Sequence, residues 1–368
     1  MPKIFEIFGY RINDDSEEAK ESREHARCPF MGCECDGGGN RYLSHINLSQ
    51  TPELQSLYPG RETIPSGVCS LQLREGEMPW IVCPRRLLAL GKQEMGERRY
   101  QTVSENLLIE HCGYSQGSKI GVWPEVKVKY TSKNKNFDYT FDYVLFPLGR
   151  MNADELIEIT GCSWNQLSRD LTNAGYSMAM RDGAHYVEDF PVGDPIIIEI
   201  MTSSTSGGNK RKRSTIPLAF EDAILDQDHT APGINYRQVW ARMVSQLVVK
   251  SEVAMSWGGK TFWILQDHLV NYISSSTALD IFSFLSKTTS EVNILCLSYG
   301  DEYKKDETGV AELKEGKLYS GPIRPAGIAS DDLSFQDMIR APVFPPKTLL
   351  FKLLSKRLYT NVLVVRPA

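Results

Sequence analysis

Residues 195–201, PIIIEIM, are a short β-branched run interrupted by one carboxylate, Glu199. A run that stays apolar at consecutive positions leaves no wet face, so it reads as a central strand buried on both sides. Other segments fit around it. VWPEVKVKY (122–130) alternates, and YTFDYVLFPL (139–148) and TFWILQ (261–266) are apolar, so all three are expected as strands. Residues 235–250 give the clearest helix, with Val239, Trp240, Met243, Val244, Leu247 and Val248 at helical spacing and Asn235 with Gln238 as a capping-box variant. Residues 96–114 also read as a helix, and 346–359 as a basic amphipathic helix followed by a strand. Residues 150–190 hold two helix-like pieces and look like an insertion. The order is mixed α/β.

Composition narrows the function classes. Of 368 residues, 41 are Lys or Arg and 46 are Asp or Glu, for a net charge of −5. That acidity does not exclude a nucleic-acid partner, because binding depends on local patches. Residues 119–135 hold five Lys against one acid, and Lys210-Arg211-Lys212-Arg213 follow Glu199 closely. No apolar run approaches the ~20 residues of a membrane span. The N-terminus lacks a secretory h-region, so a cytoplasmic protein without a membrane partner is expected. No Walker A, G-x-G-x-x-G or HExxH motif occurs, which weakens NTPase, Rossmann and zincin readings.

Five of the eight cysteines fall in the first quarter of the chain: Cys28, Cys33, Cys35, Cys69 and Cys83. In a reducing compartment such a cluster suggests a metal more than disulfides. Four thiolates complete a tetrahedral site for zinc or iron. Cys28, Cys69 and Cys83 lie in the contexts Cys28-Pro29-Phe30, Gly67-Val68-Cys69 and Val82-Cys83-Pro84, where Gly and Pro allow tight turns. Cys33 and Cys35 compete for the remaining place, and Cys35 fits better because Gly37-Gly38-Gly39 follow it. Cys112, Cys162 and Cys296 are expected in the core.

Three carboxylates sit on expected strands: Glu125, Asp142 and Glu199. An unpaired buried carboxylate is costly, so each must meet a cation, a hydrogen-bond network or a metal. Period-two geometry puts Glu125, Lys127 and Lys129 on one face. Carboxylates converging from neighbouring strands make a hard-oxygen site suited to Mg²⁺, which can activate water against a phosphate. Ion pairing within the fold is the plainer alternative.

The Cys contexts, Phe141-Asp142-Tyr143, Glu199-Ile200-Met201-Thr202 and the helix 235–250, taken in order, resemble the NotI family of type II restriction endonucleases over roughly residues 5–275. The resemblance implies a PD-(D/E)XK core, a central mixed sheet flanked by helices, over 96–368 with the insertion near 150–190. It also implies an N-terminal four-cysteine module over 1–95, with Cys28, Cys35, Cys69 and Cys83 holding a structural iron or zinc. Asp142 and Glu199, with Glu125 upstream, would hold the catalytic Mg²⁺. The expected activity is hydrolysis of phosphodiester bonds in double-stranded DNA at a palindromic site by a homodimer, with a cognate DNA methyltransferase in the same system as a separate protein. This chain has Met201 where the family has Gln, and a thioether cannot serve a hard metal. Lys127 or Lys210 is therefore expected to supply the cation that steadies the attacking water. The rival readings are a DNA-binding protein that has lost its chemistry and a redox protein using the cysteines directly.

Overall fold

A computed structural model describes residues 1–38, 45–90, 103–276, 281–299, 313–321 and 344–365. Its centre is a mixed sheet with nine strands among the described residues. The main path runs Met178–Arg181, Ala184–Pro191, Lys135–Asn152, Ile196–Met201, Lys260–Gln266, Val292–Ser298 and Lys314–Ser320. Lys119–Ser132 pairs with Lys135–Asn152 as a long hairpin and carries Asn361–Val364 on its other side. The pairs Ile196–Met201 with Lys260–Gln266, and Lys260–Gln266 with Val292–Ser298, are parallel. Parallel neighbours need crossovers. The helices Tyr236–Ser256 and Asp267–Ser276 occupy those two connections.

All six residues of Ile196–Met201 are buried, as the apolar run requires. Its alternation divides the core. Ile196, Ile198 and Ile200 pack with Leu87, Leu88, Leu108 and Ile109. On the opposite face Ile197 packs with Val249, Val253 and Trp257, and Met201 with Val239, Met243 and Leu247, all from the helix Tyr236–Ser256 or, for Trp257, its C-cap. Asn235 caps that helix, its side-chain oxygen accepting from the Gln238 backbone N–H. Glu199 lies between Ile197 and Met201 on this covered face.

The N-terminal part is built differently. Lys3–Ile7, Tyr10–Arg11, Val68–Gln72 and Trp80–Ile81 form a four-stranded antiparallel sheet, and two further two-stranded sheets pair Arg27–Cys28 with Cys33–Glu34 and His45–Asn47 with Thr63–Pro65. The segment 150–190 contains the helices Ala153–Thr160 and Trp164–Ala174 and then a hairpin whose second strand pairs with the far end of Lys135–Asn152. That hairpin extends the main sheet. The helix expected over 96–114 is described as Val103–Cys112, residues 96–102 lying outside the described residues. The C-terminal helix is shorter than expected, Lys347–Leu354. Among the described residues, no helix is long and apolar enough to cross a membrane.

Candidate active site and cysteine cavity

The long hairpin changes phase at one place. Phe137 and Phe141 join the same core cluster as Val144 and Phe146, so inward-facing positions switch from odd to even across Asp142. On the partner strand Val126 and Val128 share that cluster with Trp123, so the same switch occurs across Pro124 and Glu125. Glu125 has φ +51°, the left-handed region that non-glycine residues enter at a cost. Proline before it removes a ladder donor. The kink takes Asp142 and Glu125 off the core faces and into a cleft lined also by Gly38, Pro84, Arg85, Tyr143 and Ile200.

Glu199 stands across from Asp142, one step beyond the last paired residues, Tyr143 and Ile198. Side chains take over the ladder there. The Ile200 N–H donates to Asp142 Oδ2 at 2.8 Å, and the Asp142 N–H donates to Glu199 Oε1 at 3.4 Å. The Lys250 ammonium, from the helix Tyr236–Ser256, donates to Glu199 Oε2 at 2.5 Å and to the Thr140 carbonyl at 2.8 Å. Glu199 and Lys250 are both buried. Burial, and after it the Asp142 charge, pushes the Glu199 carboxyl up to about 8, with Lys250 pulling the other way.

Asp142 therefore shares the cleft with Glu125 and the broken ladder with Glu199, but neither expected lysine is the amine at Glu199. Lys127 is half-exposed and pairs with Asp138 at 3.6 Å. Lys210 is exposed in a short 3₁₀ turn, Lys210–Lys212. The amine is Lys250, and the sequence carries its signal. Met243, Leu247, Lys250, Ala254 and Trp257 fall on one helical stripe, and a lysine on an apolar stripe needs a buried partner. Met201 packs in the apolar cluster with Trp80, Met243 and Trp263, away from any hydrophilic role.

The cysteines gather in the N-terminal part. Cys28, Cys35, Cys69 and Cys83 line one cavity of about 20 Å³, together with Gly37, Gly38 and Gly67. Cys33 is not in its lining, and its thiol reaches the Glu34 carbonyl instead. The Gly9 N–H donates to Cys69 Sγ at 3.3 Å. Gly67 has φ +54°, and a Cβ there would strike the Phe8 ring. Burial pushes the Cys28 thiol up to about 12 and raises Cys35 further. The hydrogen bond between Cys69 and Cys83 raises the first thiol and lowers the second. Among the described residues, no group of three or more His, Cys, Asp or Glu is drawn together as a metal-holding cluster. The four sulfurs face a common space without closing on a centre.

No protein-family model and no curated protein matches this chain.

Proposed function

We propose that this chain is a Mg²⁺-dependent type II restriction endonuclease with a PD-(D/E)XK core, acting on double-stranded DNA in the cytoplasm as a homodimer. The observation that carries this reading is the cross-bonded set of Asp142, Glu199 and Lys250 at a point where two sheet strands part. Acids with a lysine at such a point suit metal-assisted phosphodiester hydrolysis. Lys250 supplies from a helix the cation that was expected of Lys127 or Lys210.

The donor sets suit the expected ions. Glu125 and Asp142 offer hard carboxylate oxygens on the cleft, with Glu199 behind them. When held there, Mg²⁺ makes water a stronger nucleophile at neutral pH and offsets charge on the phosphate. The chain's own groups do the rest. Asp142 is oriented by the Ile200 N–H. Lys250 fixes Glu199 and holds a proton at its carboxylate, where burial makes proton transfer sensitive to the neighbouring charge. The cysteine cavity presents four sulfur donors, which suit iron or zinc and not Mg²⁺. Its role would be structural.

The test is digestion of phage DNA by the pure protein with Mg²⁺, followed by sequencing of the ends. Discrete ends at one short symmetric sequence are expected, with Asp142→Asn giving none. A DNA-binding protein without chemistry would retard a defined duplex and leave it whole, and random nicking by both proteins would remove the proposal.

A further inference from the structure

Arg85 occupies the wall between the two sites. It lines the cysteine cavity and the acidic cleft at once. Its Nε and Nη2 donate to Asp36 Oδ2 at 3.0 and 2.9 Å, and its Nη1 donates to the Tyr143 hydroxyl at 2.7 Å. Each partner is sequence-adjacent to a site residue: Asp36 follows Cys35, and Tyr143 follows Asp142. The other oxygen of Asp36 accepts the Gly38 N–H at 2.9 Å, and Gly38 lines both spaces. One carboxylate thus sets both the glycine turn after Cys35 and the plane of the guanidinium.

A guanidinium has five N–H groups. Among the described residues three are engaged, leaving one on each terminal nitrogen, and the side chain is 20% exposed. Among the described residues lining the acidic cleft, Arg85 is the cationic one. Lys250 lies buried behind Glu199, and Lys127 is engaged with Asp138. An anionic phosphate diester approaching Glu125 and Asp142 needs a compensating charge. A planar fork of N–H groups matches phosphate oxygens better than a point charge does.

We propose that Arg85 contacts the DNA phosphate in this cleft, and that Asp36, fixed by the turn after Cys35, is a positioning residue that sets its angle. The cysteine module thereby reaches the acidic site through one side chain. This rests on the nuclease reading above.

The test uses the full chain and plasmid carrying the wild-type cut site. Arg85→Ala is expected to lower kcat about 100-fold or more with little change in KM. Guanidinium chloride at millimolar concentration should restore part of the rate to Arg85→Ala and none to Arg85→Lys. Asp36→Asn should lower kcat less and shift the guanidinium response, while elemental analysis gives an unchanged metal content. A readout independent of cleavage is Mn²⁺ affinity by electron paramagnetic resonance. Removing a cation beside the carboxylates should tighten it several-fold in Arg85→Ala. No cleavage by the wild type would overturn the nuclease reading and this proposal with it. Cleavage by the wild type and equally by Arg85→Ala would overturn the proposal alone. So would a slow Arg85→Ala that shows neither rescue nor altered Mn²⁺ affinity, since Arg85 would then serve only the fold.

Discussion

Glu199 concentrates the energetic conflict of the site in one side chain. It is held in the core by a lysine and a backbone N–H, yet burial and Asp142 still push its carboxyl from 4.5 up to about 8. An acid raised in this way binds its proton more tightly folded than unfolded. Below the unfolded value both states are protonated and stability is greatest. As pH rises from there to about 8 the unfolded chain ionises first, so stability falls across that window. In protein stripped of divalent ions, the melting temperature is expected to drop between about pH 5 and pH 8, and to drop less in Glu199→Gln. Parallel curves for the two proteins would show that Glu199 does not carry the effect. This residue was legible as an anomaly, a carboxylate inside an apolar strand. Its partner was not, because Lys250 lies 51 positions away on another element and only the fold brings the two together.

At the scale of elements, periodicity and irregularity were legible to different degrees. The strands Ile196–Met201 and Lys260–Gln266 and the helix Tyr236–Ser256 follow from runs long enough to show their period. The kink at Glu125 and Asp142 does not, since period-two reading assumes a strand keeps its phase. The two-residue strands of the N-terminal part, Arg27–Cys28 and Cys33–Glu34, are too short to show any period, and the cysteines there were the better guide. Their turns make a specific expectation. Cys28 and Cys33 face each other across that small ladder, while Cys35 continues into the glycine turn and reaches the cavity. Protein purified under reducing conditions should carry about one iron or zinc per chain. Cys35→Ser is expected to release it and Cys33→Ser to retain it, by elemental analysis. The reverse pattern would mean that the ladder rearranges around the ion.

At the scale of the whole molecule, the N-terminal sheet is joined to the central sheet through a buried charge. Glu6, on the first strand, takes the Arg86 fork on both oxygens at 3.0–3.2 Å, the Ser70 hydroxyl at 2.8 Å and the Tyr299 hydroxyl at 2.7 Å. Arg86 stacks between the rings of Phe30 and Tyr299, 4.8 and 5.0 Å from their centroids. The network therefore ties Lys3–Ile7 and Val68–Gln72 to Tyr299, just beyond the central strand Val292–Ser298, and runs beside the Cys28 loop. Gln266 adds a second tie, accepting the Ile81 N–H at 2.9 Å and donating to the Pro79 carbonyl at 2.7 Å. Both Glu6 and Arg86 are almost wholly buried, so desolvation offsets most of their mutual attraction, and the pair adds little beyond what apolar packing would give. Breaking it is another matter, because the survivor is left charged and enclosed. Arg86→Met alone is expected to cost about 3–5 kcal/mol in urea unfolding. The double substitution Glu6→Leu with Arg86→Met should recover most of that loss, since no charge is then stranded. If the double variant is no more stable than the single one, the aromatic contacts of Arg86 hold the two sheets together and the ion pair does not. Under the proposed nuclease function, the acidic cleft separates these outcomes further. Its wall is built from Pro84 and Arg85, one position before Arg86, so a double variant that refolds stably but loses cleavage would show that the ion pair sets the position of that wall.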